Sequence, residues 1–202
     1  MNIEIRLENE NDYEEVENLT REAFWDVYQP GCDEHLLAKK LRKVPAFIPE
    51  LDFVAELDGQ IVGNILYSKA TVTNETGVEH EVITFGPLSV LPSYQKAGVG
   101  SKLIKHTLEL AKGMGFEAVI IFGNPAYYHR FGFENSEKYN ITTADGKNFE
   151  AFMALELYEG GLQGISGSFH EDSVFCIDKA ELEEFEKKFP YKEKHITDTQ
   201  LR

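Results

Sequence analysis

The chain has 202 residues, of which 42% are hydrophobic and 12% aromatic, so it can bury a sizeable core in one large domain. Twenty basic and thirty-five acidic residues give a formal net charge of −15, the wrong sign for wrapping nucleic acid or lying on an anionic membrane. Two distant cysteines and six histidines without ligand spacing predict neither a disulfide framework nor a metal site. The first ten residues lack the basic and apolar regions of a signal peptide, and we expect a cytoplasmic protein.

A short strand and two helices are predicted at the beginning of the chain. Residues 3–7 alternate in polarity, as in a strand, and Asn11 or Asp12 can then cap a helix with apolar residues at helical spacing. A second helix is predicted over about 33–44. The linker between the helices is rich in aromatic residues and contains Pro-Gly, which is typical of an ordered loop.

Three strands are predicted next. Asp58-Gly59 is a hairpin signal within the two-strand pattern of 51–72, and the turn at 74–77 precedes a third strand over 78–92. Successive strands joined by short turns imply an antiparallel meander.

After Pro92 the apolar period changes from two to about 3.6, which predicts a helix of about four turns. The apolar run 116–123 is typical of a strand buried on both faces and paired in parallel after a helical crossover. A short turn or helix is expected at 125–131, and further strands begin at 132–135 and 149–157.

The last forty residues show weaker patterns. A glycine-rich connector at 159–168 precedes a predicted strand at 173–177, in which Cys176 is expected to be buried. A charged helix is predicted over about 178–188. We interpret the last dozen residues as a solvated tail.

The segment 95–101 is a candidate anion site. It lies between a strand and a helix N-terminus, where backbone N–H groups and the helix dipole both favour negative charge. Gly98 and Gly100 would let a phosphate approach these amides, and Lys96 adds a mobile charge. Residues 95–115 contain four lysines and only one glutamate, so the positive charge is local. The two glycines would equally serve a simple strand-to-helix turn, and the loop alone leaves both interpretations open.

A second segment resolves this choice. Together, "LSVLPSYQKAGVGSKLI" and "YYHRFGF" resemble the two signature segments of the GNAT superfamily, the acetyl-CoA-dependent N-acetyltransferases. That family has a V-x-P strand end, a [QR]-x-x-G-x-[GA] loop and a helix, followed after the next strand by a Y-x-[KR]-x-G-F turn. The matching residues are Val90, Leu91, Pro92, Gln95, Gly98 and Gly100 in the first segment, and Tyr128, Arg130, Gly132 and Phe133 in the second.

The resemblance implies an α/β (α+β) fold with a mixed, mostly antiparallel twisted sheet flanked by helices, and splayed central strands that form the CoA cleft. It covers about residues 1–160, the predicted N-acetyltransferase domain, and 161–202 would be a C-terminal extension packed on or following that domain. Acetyl-CoA is the implied cosubstrate, with an amine acceptor, no metal, no nucleic acid and no membrane partner. A homodimer is left open.

The resemblance also assigns residues that bind the cosubstrate. The loop amides would hold the pyrophosphate of CoA, the strand before the loop would pair with the pantetheine arm, and a backbone N–H near Val90 would stabilise the thioester oxyanion. Asn124 would bind the pantetheine amides or cap the following turn, with equal weight. The implied binding residues are Leu88, Ser89, Val90, Gln95, Lys96, Ala97, Gly98, Val99, Gly100, Ser101 and Asn124.

Tyr128 matches the family's general acid, since a phenol stays protonated at neutral pH and can donate to the departing thiolate. Tyr127 is its competitor, and aromatic packing is the alternative for either ring. No general base is assigned. Cys32 is disfavoured as an acyl-accepting nucleophile because the sequence fixes no partner histidine for it.

On the acceptor side, the first two helices and their connecting loop would build the pocket. Phe24, Trp25 and Tyr28 would line it, or would only pack the first helix on the sheet. The expected reaction is direct attack of a primary amine on acetyl-CoA in a ternary complex, and the expected amine is that of a small molecule in the family's range. The alternative function is a non-catalytic acyl-CoA sensor or interaction module.

Overall fold

The computed structural model describes residues 2–200, and within them the chain forms five α-helices and a nine-stranded sheet. The helices are α1 (Tyr13–Phe24), α2 (Glu34–Leu41), α3 (Val99–Gly113), α4 (Pro125–Tyr128) and α5 (Lys179–Glu186). The strands are β1 (Glu4–Leu7), β2 (Phe47–Leu57), β3 (Gln60–Thr73), β4 (Glu79–Val90), β5 (Ala118–Phe122), β6 (Glu134–Asn135), β7 (Ile141–Thr143), β8 (Phe152–Glu156) and β9 (Gly167–His170).

The strand order is β1-β2-β3-β4-β5-β8-β6, and β9 pairs with β3 and β7. The pairs β1–β2, β5–β8, β6–β8 and β3–β9 are antiparallel, whereas β4–β5 and β7–β9 are parallel. The predicted mixed, mostly antiparallel sheet with flanking helices is confirmed. Within the described residues the β4–β5 ladder has one register pair, Ile83 with Val119, as suits strands that diverge.

Two compact units divide the chain. One contains the described residues up to Leu66, then Gly86–His106 and the described residues from Ser173 onward; its buried apolar residues join α1 to β2 and α2 to Leu66. The other contains Tyr67–Phe85 and Thr107–Asp172, with a core from β3, β5, β8 and β9. The boundary predicted at residue 160 stays a prediction.

Local chemistry explains the main turns. Asp58 and Gly59 both have positive φ, 52° and 81°, as a two-residue hairpin between twisted strands requires. The side chain of Asp178 accepts a hydrogen bond from the N–H of Glu181 and thereby caps α5. Both predicted elements, the hairpin and the charged helix, are confirmed.

Two predictions near the C-terminus are wrong. Residues 173–177 are not a strand: Ser173–Phe175 form a 3-10 turn, which lets Val174 pack on the α2 core, and Cys176 is exposed. The missing strand is β9, inside the glycine-rich connector. Gly167 begins β9 with φ 129°, and a Cβ there would collide with the carbonyl of Thr73, so glycine allows this pairing.

The solvated tail predicted for the last dozen residues is mostly exposed over 191–200 but is also hydrogen-bonded to the rest of the chain, and residues 201 and 202 lie outside the described residues. Although Tyr191 is exposed, neighbouring residues of the segment bind the loop after α1; for example, the indole of Trp25 donates a hydrogen bond to the carbonyl of Glu193 at 2.9 Å. Over residues 2–200, no helix is both long and apolar enough to cross a membrane.

Candidate active site

The loop 95–101 leads directly into α3. The N–H of Lys102 donates to the carbonyl of Gly98 at 3.0 Å, so the helix begins there and the N–H groups of 98–101 precede its first internal donor. Gly98 has φ 88°, which favours glycine, and a Cβ at this position would have no atom within 4 Å. The space beside Gly98 is therefore open at the positive end of α3, whereas Val99 and Gly100 are buried.

Positive side chains surround this helix start. Lys96, Lys102 and Lys105 are exposed, and among the described residues none of them has a carboxylate within 4.0 Å. The chain as a whole carries a net charge of −15, so these lysines form a local positive field beside the start of α3.

Gln95 joins the loop to the end of β4. Its Nε2 donates to the carbonyl of Val90 at 3.2 Å, and the hydroxyl of Tyr94 donates to Oε1 of Gln60 at 3.3 Å. The N–H of Leu91 donates to the carbonyl of Val62 at 3.0 Å. The side chain of Gln95 therefore shapes the loop.

The end of β4 is held from its buried side. Ser89 is fully buried, and its hydroxyl shares a hydrogen bond of 2.9 Å with the hydroxyl of Thr20 in α1. Gly63 lies close by: a Cβ there would be 2.8 Å from Cγ1 of Val99 and 3.1 Å from the carbonyl of Ser89. Leu88 and Val90 are half-buried. The side chain of Ser89 is thus engaged in the core, which leaves its backbone for the role that the resemblance implies.

Tyr128 ends α4 and sits in an aromatic cluster. Its ring centroid lies 5.8 Å from that of Phe85 and 5.7 Å from that of Phe133. A Cβ at Gly123 would collide with this ring, so the glycine permits its position. Tyr127 belongs to the same cluster, with its ring centroid 5.1 Å from that of Tyr128, and the guanidinium of Arg130 lies 4.7 Å from the Tyr127 ring centroid.

Asn124 caps α4. Its Oδ1 accepts a hydrogen bond from the N–H of Ala126 at 3.0 Å, so that oxygen serves the capping role that the sequence left open. The other alternative, contact with a pantetheine amide, stays a prediction that would use the side-chain NH₂ group.

Of the three predicted acceptor-side aromatics, Phe24 ends α1, and Trp25 and Tyr28 lie on the loop between α1 and α2. The rings of Phe24 and Tyr28 are 6.0 Å apart, and Tyr28 is exposed. Trp25 stacks against the guanidinium of Arg21 at 4.2 Å and also binds the C-terminal segment. Trp25 therefore has structural contacts on the loop in addition to any role toward an acceptor.

Two features escaped the sequence analysis. The hydrogen bond between Thr20 and Ser89 joins residues 69 positions apart, and no local pattern signals it. Glu34, in the first turn of α2 beside the aromatic loop, is largely buried, and this burial raises its pKa to about 7. Its place after Asp33 suggested only a helix start.

Cys32 is buried and contacts His35, and burial raises the pKa of its thiol, which opposes a nucleophilic role.

Comparisons with known proteins identify the family of the chain. The model of a family described as acetyltransferase (GNAT) matches residues 13–133. The uncharacterized N-acetyltransferase YjhQ of Escherichia coli K12 is 40% identical over 86 residues, 43% of this chain and 47% of YjhQ, so the similarity spans about half of that relative. The uncharacterized N-acetyltransferase YhbS of the same organism is 28% identical over 116 residues, 56% of this chain and 68% of YhbS.

Solved structures extend the similarity over most of the chain. The crystal structure of E. coli YhbS in complex with CoA has a TM-score of 0.77 and 27% identity, covering 87% of this chain and 92% of that one. A GNAT family acetyltransferase from Brucella melitensis in complex with acetyl-CoA has a TM-score of 0.68 and 29% identity, covering 86% of this chain and 97% of that one.

Proposed function

Because the chain belongs to the acetyltransferase (GNAT) family, we propose that it transfers an acetyl group from acetyl-CoA to a primary amine of a small molecule. The observation that carries this proposal is the start of α3, where Gly98 is open and the N–H groups of 98–101 precede the first donor of the helix. Its glycine with positive φ, its unneutralised lysines and its helix N-terminus suit the pyrophosphate of CoA. Relatives solved with CoA and with acetyl-CoA support the same ligand.

The end of β4 would bind the rest of the cosubstrate. Backbone groups of Leu88, Ser89 and Val90 would pair with the pantetheine amides, and the Thr20 hydrogen bond holds this strand end in place. Gln95, through its hydrogen bond to the carbonyl of Val90, would couple the pantetheine strand to the pyrophosphate loop. A backbone N–H near Val90 would stabilise the oxyanion.

The reaction would proceed by direct attack. The lone pair of the neutral amine forms a bond to the thioester carbonyl carbon, and the carbon–sulfur bond breaks as the tetrahedral intermediate collapses. The amine nitrogen loses a proton to water, the Tyr128 hydroxyl donates a proton to the departing CoA thiolate, and the resulting phenolate regains a proton from water. The products are an acetamide and CoA thiol, and no covalent enzyme intermediate is needed.

Tyr128 is the better candidate for this acid than Tyr127. Its ring is held by Phe85 and Phe133, with Gly123 giving it room, which is the preorganisation that a proton donor requires. The ring of Tyr127 contacts Arg130 and Phe131 and also lies edge-on to the ring of Tyr128, with centroids 5.1 Å apart. Support for Tyr128 therefore comes from its motif position and from its rigid surroundings.

On the acceptor side, Phe24, Trp25 and Tyr28 would offer an aromatic wall to the amine. Exposed Tyr28, tilted against Phe24, gives this wall an accessible face.

The experiment has two stages. Isothermal calorimetry first measures acetyl-CoA binding, and then release of CoA thiol is followed with spermidine, tyramine, glycinamide and tobramycin as acceptors. Saturable binding together with amine-dependent thiol release supports the proposal. Binding without thiol release for any amine would favour a non-catalytic acyl-CoA sensor, and no binding at all would overturn both functions.

A further inference from the structure

The C-terminal segment 190–200 runs along the loop 25–33 that joins α1 to α2. The indole N–H of Trp25 donates to the carbonyl of Glu193 at 2.9 Å, and the hydroxyl of Thr199 donates to the carbonyl of Val27 at 2.6 Å. These partners are about 170 residues apart in sequence, so the contacts are tertiary.

Asp26 is the residue on which this contact converges. Its φ of 60° is unusual for a residue with a side chain, and its N–H and Oδ1 both bind the backbone of Gly31, at 2.9 and 2.7 Å. Its carbonyl accepts hydrogen bonds from Thr197 and Gln200, at 2.9 and 3.1 Å. Its Oδ2 lies 3.1 Å from Nδ1 of His195. The same residue therefore closes the loop and receives the C-terminal segment.

Lysines of the segment extend the contact on both sides. Nζ of Lys192 pairs with Glu22 in α1 at 2.7 Å. The Lys194 side chain covers Gly31 so closely that a Cβ at Gly31 would lie 2.9 Å from its Cε. Upstream, Glu186 in α5 makes hydrogen bonds of 2.9–3.2 Å to buried Arg21 in α1. The segment thus leaves a helix that is itself attached to α1.

We propose that residues 190–200 are a positioning element for the acceptor-side loop, and that Asp26 is the positioning residue through which they act. This inference rests on the proposed function, in which Phe24, Trp25 and Tyr28 line the acceptor pocket. Detaching the segment would let the loop move and would weaken binding of the amine. Binding of acetyl-CoA uses the loop 95–101 and would not change.

Full-length variants test this proposal. Asp26→Ala removes the side-chain acceptor, whereas Asp26→Asn keeps Oδ1 and tolerates positive φ. Thr197→Val is a milder variant of similar shape that removes one hydroxyl donor. Lys187→Gln is the matched control, because Lys187 pairs with Glu184 and contacts neither the loop nor the segment 190–200 in any described hydrogen bond.

Two readouts report the docking itself. Trp25 is the single tryptophan, so its fluorescence emission monitors the contact with Glu193 directly. Hydrogen exchange at the amides of Val27 and Gly31 monitors the loop. A third readout separates positioning from general stability. It compares the change in KM for the amine that turns over fastest among the four with the changes in kcat and in the dissociation constant of acetyl-CoA.

We expect Asp26→Ala and Thr197→Val to shift the Trp25 emission to the red and to speed hydrogen exchange at the amide of Gly31. The KM for the amine should rise about three- to tenfold, which is the effect of losing roughly one hydrogen bond. Asp26→Asn should restore the KM to within about twofold, and Lys187→Gln should match the wild type. The proposal is overturned by unchanged emission and exchange in both variants, or by an equal loss of acetyl-CoA affinity. If none of the amines reacts, the proposed function fails, while emission and exchange still decide whether the segment holds the loop.

Discussion

Replacing Gly63 by Ala tests how tightly β3 packs beneath the cosubstrate loop. The added methyl would lie 2.8 Å from Cγ1 of Val99 and 3.1 Å from Cδ1 of Leu103, well inside the 3.5–4.0 Å at which carbon atoms pack best. Val99 is the first residue of α3, and both contacts are buried, so the helix start must shift. Overpacking of this kind costs about 1–3 kcal/mol.

For a chain of this length that cost corresponds to a fall in Tm of roughly 2–12 °C, measured by calorimetric scanning. Because the N–H groups of 98–101 lie at the start of α3, we also expect acetyl-CoA to bind roughly three- to tenfold more weakly, a change of about 0.7–1.4 kcal/mol. Gly113→Ala is the matched control, since a Cβ at Gly113 has no atom within 4 Å. If Gly63→Ala keeps both the Tm and the acetyl-CoA affinity of the wild type, the link between β3 packing and the loop is refuted.

Three further predictions concern buried polar groups. Burial raises the folded-state pKa of Glu34 to about 7 from 4.5, so the folded state binds the extra proton in this window and stability falls as pH rises through it. Glu34→Gln should therefore be more stable than the wild type at pH 8, by up to about 3 kcal/mol in urea titrations. This gain in stability should be absent at pH 4, and an equal gain at both pH values would contradict the reasoning. Glu186→Gln should lose about 3 kcal/mol, because it leaves buried Arg21 without its carboxylate, and a Tm equal to the wild type would exclude that role. Thr20→Val should cost about 1–3 kcal/mol in the same titrations by leaving the Ser89 hydroxyl without its partner, and no loss would show that Ser89 finds another one.

Elements with strong local signals were predictable from the sequence. The Asp58-Gly59 hairpin needs positive φ at both residues, and α3 has a regular apolar face followed by glycine, so local chemistry was sufficient. The residues of 95–101 allowed either an anion site or a simple strand-to-helix turn, and the second motif around Tyr128 was needed to favour the pyrophosphate of CoA.

Elements that depend on distant partners were not predictable. Strand β9 has no alternating pattern, and it forms because the backbone of Gly167 can approach Thr73. Residues 173–177 have strand-like composition, but they form a turn because this conformation packs Val174 into the core around α2. The C-terminal segment looked like a solvated tail because its partners, such as Asp26, are about 170 residues away and are mostly backbone groups.

The most direct test of the account compares the wild type, Tyr128→Phe and Tyr127→Phe in amine-dependent release of CoA thiol, with acetyl-CoA affinity measured calorimetrically on each. We predict amine-dependent turnover by the wild type and by Tyr127→Phe. We predict turnover roughly 10²- to 10⁴-fold lower for Tyr128→Phe, with unchanged acetyl-CoA affinity. Wild-type turnover by Tyr128→Phe would contradict the assignment of the general acid, and a wild type that does not bind acetyl-CoA would contradict the proposed function itself.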